Sequence, residues 1–340
     1  MQGIVLTEAK RFESLVIREF DYPYPGPGEV TVRVQASALN HRDLWIVQGL
    51  YPNIGVPIVL GSDGAGVVDR VGPDVEPAWV GRAAVINPSL DWGGDPRVQG
   101  KSYRILGMPD NGTQAEFVRV PEINLAPKPS YLSFAEAAAI PLGGLTGYRA
   151  LFTQGALRAG ETVLLTGIGG GVAALMMQMA LAVSARVLVT SGSDSKVQRA
   201  LGLGAAGGAN YTADDWGEKL FHLAQPGGID LIVDSAGGDG FAALTRLVNP
   251  GGRIVFFGAT AGNPSGLDMR NLFWKQVRLQ GTTMGTPEEF CDMLKLFEAH
   301  RIKPLIERAY RFDEFKEAYA RMRDGTQFGK LVLLAPSAST

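Results

Sequence analysis

Residues 161–180, ETVLLTGIGGGVAALMMQMA, constrain this chain more than any other stretch. Val163, Leu164 and Leu165 form a short apolar run of the kind that becomes a buried strand. It breaks into Gly167, Gly169, Gly170 and Gly171, four glycines within five positions. A helical period follows, with Leu175, Met176, Met179 and Ala180 on one face. Strand, glycine turn and helix in this order make the arrangement that binds a dinucleotide. Glycine lets the backbone approach a pyrophosphate closely, and the helix N-terminus offers free N–H groups to the anion. A tight turn without a ligand is the plain alternative.

From 162 to 282 strands and helices alternate. Strands are expected at 162–166, 186–190, 229–234, 252–257 and 277–282, with a short one near 209–211. Helices are expected at 171–182, 195–202, 214–223 and 240–248. This is the rhythm of an α/β doubly wound parallel sheet. The first ~120 residues read instead as mainly β. Val30, Val32 and Val34 alternate with Thr31 and Arg33, and 64–71, 80–86 and 117–120 are further strands. Residues 91–111, rich in Gly, Asp, Arg and Pro, read as a loop. Near Pro121 the texture changes, and Ser133 with Glu136 forms a capping-box start for a helix over 135–140. After 282 come helices at 288–299 and 312–323 and a strand at 330–334. Residues 335–340 read as a short loose tail.

The 340 residues give room for about two domains. A net charge of −2 offers no general attraction to nucleic acid or to an anionic membrane. No apolar run has the ~20 residues of a bilayer span, and the first residues lack a signal-peptide layout. One cysteine excludes an intrachain disulfide and fits a reducing cytoplasm. That cysteine, Cys291, falls beside Phe290 and Leu294 and is expected in the core.

Several separate motifs, in order along nearly the whole chain, then resemble one family. They are Ala38 to Leu44 with Gly49-Leu50-Tyr51, Leu60 to Val68, Ala137 to Leu142, Leu145 to Tyr148, the glycine turn, and Gly329 to Leu333. The chain resembles the medium-chain dehydrogenase/reductase superfamily, nearest to its zinc-free quinone oxidoreductase-like members. The resemblance implies a GroES-like β-rich catalytic domain at 1–124 and a Rossmann domain at 125–282. A C-terminal segment, 283–340, would return to the catalytic domain. It also implies a nicotinamide coenzyme and a homodimer. One departure lies in the fingerprint, where Ala173 stands in place of a last glycine.

An NAD site of this type ends its second strand in an acidic residue that takes the ribose hydroxyls. Here the strand runs into Ser191-Gly192-Ser193-Asp194-Ser195-Lys196, and Asp194 is expected to cap the next helix. Hydroxyls and a lysine suit a 2′-phosphate, so NADP(H) is expected. By family correspondence Ser193, Lys196 and Tyr211 surround that phosphate. Gly167, Gly170, Gly171 and Val172 hold the pyrophosphate, and Thr146, Gly258 and Thr282 lie near the coenzyme. Lys330 matches a position that closes over it, with a plain surface lysine as the alternative.

Zinc members of the superfamily carry cysteine and then Gly-His-Glu where this chain has Asn40 and then Gly61-Ser62-Asp63. Their structural zinc uses four cysteines, and residues 92–112 hold none. No zinc is therefore expected. Without a Lewis acid, hydride transfer to a quinone or an α,β-unsaturated carbonyl, which delocalises the arriving charge, needs less help than alcohol oxidation. A small-molecule quinone, enone or aldehyde is the expected substrate. Asn40, His41 and Tyr51 are the catalytic candidates. Asn40 would donate its amide to a carbonyl, and Tyr51 or His41 would relay a proton. Asp43 is expected as a carboxylate in the first turn of a helix. Trp45, Tyr51 and Trp92 would line a substrate pocket or the core. The competing readings are an alcohol or aldehyde dehydrogenase of the same superfamily and a weakly active NADPH-binding module.

Overall fold

A computed structural model describes residues 1–336. The chain divides into two compact units, Met1–Gly143 with Gly285–Thr340, and Gly144–Met284.

The second unit is built on a six-stranded, all-parallel sheet. Its order is Gly207–Asn210, Arg186–Ser191, Thr162–Leu165, Ile229–Asp234, Val248–Phe256, Arg278–Gly281. The chain starts in the middle at Thr162–Leu165, works outward one way, then returns and works outward the other way. That reversal puts the switch point at the end of Thr162–Leu165, where such sheets bind ligands. The central strands are covered on both faces, so they read as continuous apolar runs rather than alternating ones. Val163, Leu164, Leu165, Val187, Leu188, Val189, Leu231, Ile232 and Val233 are all fully buried. Helices Gly171–Ala182, Asp194–Gly202, Trp216–Ala224 and Gly240–Leu247 follow the alternation expected from sequence. Ala173 is buried in the first of them.

The first unit is mainly antiparallel and organised on the ten-residue strand Glu29–Ala38. That strand pairs with Asp63–Val71, Phe117–Pro121 and Lys330–Leu334. Its alternation buries Val30, Val32 and Val34 on a core with Val68, Ile86, Val118 and Val120. A second core gathers Leu39, Leu44, Ile46, Leu60, Phe312, Phe315, Tyr319 and Leu331 around the short helix His41–Val47. Lys330–Leu334 also pairs in parallel with Ile306–Tyr310, which ties the end of the chain into the sheet.

Several expectations need correction. The first unit extends beyond 124, because helix Phe134–Ala138 and its neighbours belong with its strands. The Ser133–Glu136 capping box forms, but Pro141 opens a separate helix, Pro141–Tyr148. Proline suits a first helical turn, where its missing N–H is not needed. Residues 91–111 are not wholly loop. Ser89–Leu90 pairs with Arg104–Ile105, Arg104 binds Asp91 and Asp110, and Trp92 meets Tyr103 edge-on at 5.4 Å. Cys291 is exposed, because Phe290, Met293, Leu294 and Phe297 take the buried face of helix Pro287–His300. Ser193, not Asp194, is the N-cap of its helix, and Asp194 sits in the first turn, where a carboxylate favours the helix dipole. Of the expected tail, Ala335 is buried and donates its N–H to Gln35, while 337–340 lie outside the described residues. Among the described residues no helix is long and apolar enough to cross a membrane.

Candidate functional site

In the second unit the glycine turn follows Thr162–Leu165 directly. Gly167 (φ +69°) and Gly169 (φ +114°) take conformations that L side chains avoid. A Cβ on Gly167 would meet nothing nearer than Ser235 Oγ at 3.9 Å, so the turn faces open space. Gly170 is the N-cap of the twelve-residue helix Gly171–Ala182 and gives it no side-chain cap. Gly171 and Val172 are half-buried in its first turn. The turn is braced from behind by a pair that sequence reasoning missed. Thr166 donates its hydroxyl to Asp234 Oδ1 at 2.6 Å, and Asp234 Oδ2 accepts the Gly237 N–H at 2.8 Å. Both residues stand at the carboxyl ends of neighbouring strands, a position legible in sequence only once the strand order is known.

The loop after Arg186–Ser191 meets this turn. A Cβ on Gly169 would lie 2.7 Å from Lys196 Cδ and 3.3 Å from its Nζ, so the Lys196 side chain crosses the glycine turn. A Cβ on Gly192 would lie 2.9 Å from the Tyr211 hydroxyl. Ser191 is buried, its Oγ accepts the Ser193 N–H at 3.3 Å, and Ser193 Oγ and Ser195 Oγ are 2.8 Å apart. The structure therefore gathers Ser191, Ser193, Lys196 and Tyr211 beside Gly167 and Gly169. Two serine hydroxyls, a tyrosine and an ammonium make a cationic rim, with the bare glycine turn alongside. This donor set fits the diphosphate and ribose of a nicotinamide dinucleotide.

Gly258 packs on the Ser235 backbone, where a Cβ would stand 2.6 Å from the Ser235 carbonyl oxygen. Thr282 continues from Arg278–Gly281 and donates its N–H to Phe256, while its buried Oγ1 has no hydrogen-bond partner among the described residues. Thr146 is buried in helix Pro141–Tyr148, and its hydroxyl reaches Met284 Sδ at 3.6 Å.

The first unit holds a second polar group, and it differs most from expectation. Lys330 is neither a surface lysine nor an open lid, being 3% exposed. Its Nζ donates to Asp63 Oδ2 and to Asn40 Oδ1, each at 2.7 Å. Asn40 Nδ2 donates to the same Asp63 oxygen at 2.9 Å, and the Leu142 N–H donates to Asp63 Oδ1 at 2.7 Å. The Asn40 amide, expected to reach a substrate carbonyl, is thus spent on Asp63. Burying a carboxylate is tolerable only with such partners, and here three donors surround it. Asp63 is the hub that the sequence reading passed over. Its strand-end position beside Ser62 was the available signal.

Around this hub Asp43 accepts the Asn40 backbone N–H at 2.8 Å, closing the start of helix His41–Val47. Its burial is complete and pushes its pKa up to about 6, with the Asp63 charge adding to the rise. Arg42, the Asn40 N–H and Lys330 oppose that rise. Arg42, also buried, donates to Ser62 Oγ at 2.9 Å and to the Leu106 carbonyl at 3.0 Å, and its guanidinium lies 5.0 Å over the Tyr51 ring. Tyr51 is therefore joined to the cluster through Arg42. His41 is an exposed first helical residue with its ring 6.1 Å from Trp45. Trp92 is core, 3% exposed.

Residues 26–130 match the family described as Alcohol dehydrogenase GroES-like domain, and residues 171–299 match Zinc-binding dehydrogenase. A zinc-type alcohol dehydrogenase-like protein of Leptosphaeria maculans is 35% identical over 329 residues, covering 92% of each chain. An acryloyl-coenzyme A reductase of Sulfurisphaera tokodaii is 28% identical, covering 98% of this chain and 99% of that one. A crystal structure of an NAD-dependent alcohol dehydrogenase superposes with a TM-score of 0.92 at 38% identity, covering 98% of this chain and 99% of the other. With a GroES-like β unit, a parallel dinucleotide-type sheet and matches along most of its length, this chain belongs to the medium-chain dehydrogenase/reductase superfamily.

Proposed function

We propose that this oxidoreductase uses NADPH to reduce a quinone or an α,β-unsaturated carbonyl, with no metal ion taking part. The observation that carries the reading is the state of the three side chains at the zinc-ligand positions of relatives. Asn40 and Asp63 are bonded to each other and to the Lys330 ammonium, and Ser62 accepts from Arg42 and donates to the Leu106 carbonyl at 2.7 Å. An amide, a hydroxyl and a carboxylate already neutralised by a cation are a poor match for zinc, which prefers thiolate and imidazole. The family's zinc does not fit these residues.

The bound reduced nicotinamide supplies the hydride. The chain's own contribution in the second unit is to hold the coenzyme. The amides of the Gly167–Gly171 turn take the diphosphate, and Ser193, Lys196 and Tyr211 take the 2′-phosphate. No carboxylate ends the strand Arg186–Ser191 to repel that dianion. In the first unit, the buried charges around Asp63 give a fixed electrostatic field with little reorganisation. An acceptor whose double bond is conjugated to a carbonyl spreads the arriving charge onto oxygen, so orientation and hydrogen bonding are enough. A relative named for acryloyl-coenzyme A reduction supports an acceptor of this class.

A second reading, alcohol oxidation with NAD⁺, is favoured by the name of the solved structure at 38% identity. Coenzyme oxidation against a panel of quinones, enones and aldehydes separates the two. The proposal expects turnover with quinones or enones and NADPH. Turnover confined to alcohols and NAD⁺ would replace it by the second reading.

A further inference from the structure

Side chains at two zinc-ligand positions of relatives each meet a cation of this chain. Lys330 Nζ stands 2.7 Å from Asn40 Oδ1, and Arg42 Nη1 stands 2.9 Å from Ser62 Oγ. The lysine starts from a fixed backbone. Lys330–Leu334 is paired on both sides, and the Lys330 N–H donates to the Leu305 carbonyl at 2.8 Å. Gly329 before it has φ +103°, and a Cβ there would fall 2.3 Å from the same carbonyl oxygen. The Asp63 side chain is fully buried, and that of Lys330 is 4% exposed. An ammonium has three N–H donors. Asp63 and Asn40 take two, and among the described residues none takes the third.

The geometry points to Lys330 as the group that receives the negative charge developing on the acceptor's oxygen, with Asp63 and Asn40 as its positioning residues. This rests on the enone-reduction reading above. Hydride adds to the β-carbon, and the C=C electron pair shifts through the conjugated system onto the carbonyl oxygen. That oxygen accepts the third Lys330 N–H. A proton from water then goes to the α-carbon and yields the saturated carbonyl, so NADPH, enone and one proton become NADP⁺ and product. Lys330 gives up no proton. A donor that meets an oxygen whose charge grows in the transition state accelerates a reaction more than one that binds the ground state equally.

A buried ion pair that merely fastens the last strand would look similar, so the test must separate the two roles. Lys330→Met is assayed against acceptors ranging from simple enones to quinones. Binding of a substituted phenolate, a stable enolate mimic, is measured alongside that of its neutral methyl ether. The inference expects kcat for simple enones to fall by about 100-fold. Quinones, which delocalise the charge themselves, should be affected far less. Phenolate binding should weaken while ether and NADPH binding hold. Equal losses on every acceptor, or loss of NADPH affinity alone, would overturn it. If Lys330→Met does not fold, Asn40→Leu decides, since it leaves the Lys330–Asp63 pair in place. It should reproduce the same acceptor ranking at smaller size, and a flat response would overturn the inference. The wild-type panel reports separately on the underlying reading: if wild type reduces neither enones nor quinones, that reading fails and this inference falls with it.

Discussion

Asp43 shows how a single buried carboxylate sets the behaviour of the cluster. It caps the Asn40 N–H, and burial lifts its pKa to about 6 from an ordinary 3.8. Between these values the folded state keeps the proton that the unfolded state has lost. Stability that is full below about pH 4 therefore falls as pH rises through 6, by about 3 kcal/mol. Asp43→Asn keeps an acceptor for the Asn40 N–H and removes the titration. Urea unfolding at pH 4 and pH 7 should show a smaller difference for the variant than for wild type, and equal differences would show that Asp43 is not the group responsible. Lys196 makes a prediction about the coenzyme. Lys196→Ala should raise the dissociation constant of NADPH far more than that of NADH, since the proposal assigns this lysine to the 2′-phosphate. Its course across Gly169 sharpens the test: equal losses would mean that it serves the diphosphate instead. Residues of the glycine turn were legible in sequence because their role depends on local spacing. The burial of Lys330 was not legible because its partners, Asn40 and Asp63, lie far away in the chain and nothing in its local sequence marks them.

Elements differ in the same way. Most strands and helices of the parallel sheet were read to within two residues, because buried strands are continuous apolar runs and the helices between them have a clear period. Val248–Phe256 starts earlier than the expected 252, and helix Met269–Lys275 was not read. Of the caps, the Ser133–Glu136 box was read correctly, the Asp194 cap was not, and the one at Thr286 went unread. Thr286 accepts the Glu289 N–H at 3.2 Å, Glu289 returns a bond to the Thr286 N–H at 2.8 Å, and Pro287 opens the helix. Thr286→Ala should cost about 1 kcal/mol in urea unfolding, and no change would mean that the cap is redundant. Helix Pro141–Tyr148, rich in glycine and without an amphipathic stripe, escaped a reading based on period. The pairing of Ser89–Leu90 with Arg104–Ile105 escaped because two-residue strands leave no pattern. Cys291 was placed in the core by its neighbours, although the spacing of Phe290, Met293, Leu294 and Phe297 leaves it on the other face.

For the whole molecule, the change from β-rich to alternating texture announced two kinds of architecture, and the order of motifs announced the superfamily. The resemblance implied that the C-terminal segment returns to the first unit, and it does. What sequence did not carry was the register of that return. Lys330–Leu334 pairs with a strand nearly three hundred residues earlier, and only that pairing puts an ammonium on Asp63. The account's central claim is that this chain's own cations, with no bound ion, support reduction by NADPH. The most direct test is NADPH-dependent reduction of an enone by protein stripped with a strong chelator, with zinc then added back. The account predicts full turnover after stripping and no gain from zinc. Loss of activity on stripping, restored by zinc, would contradict it.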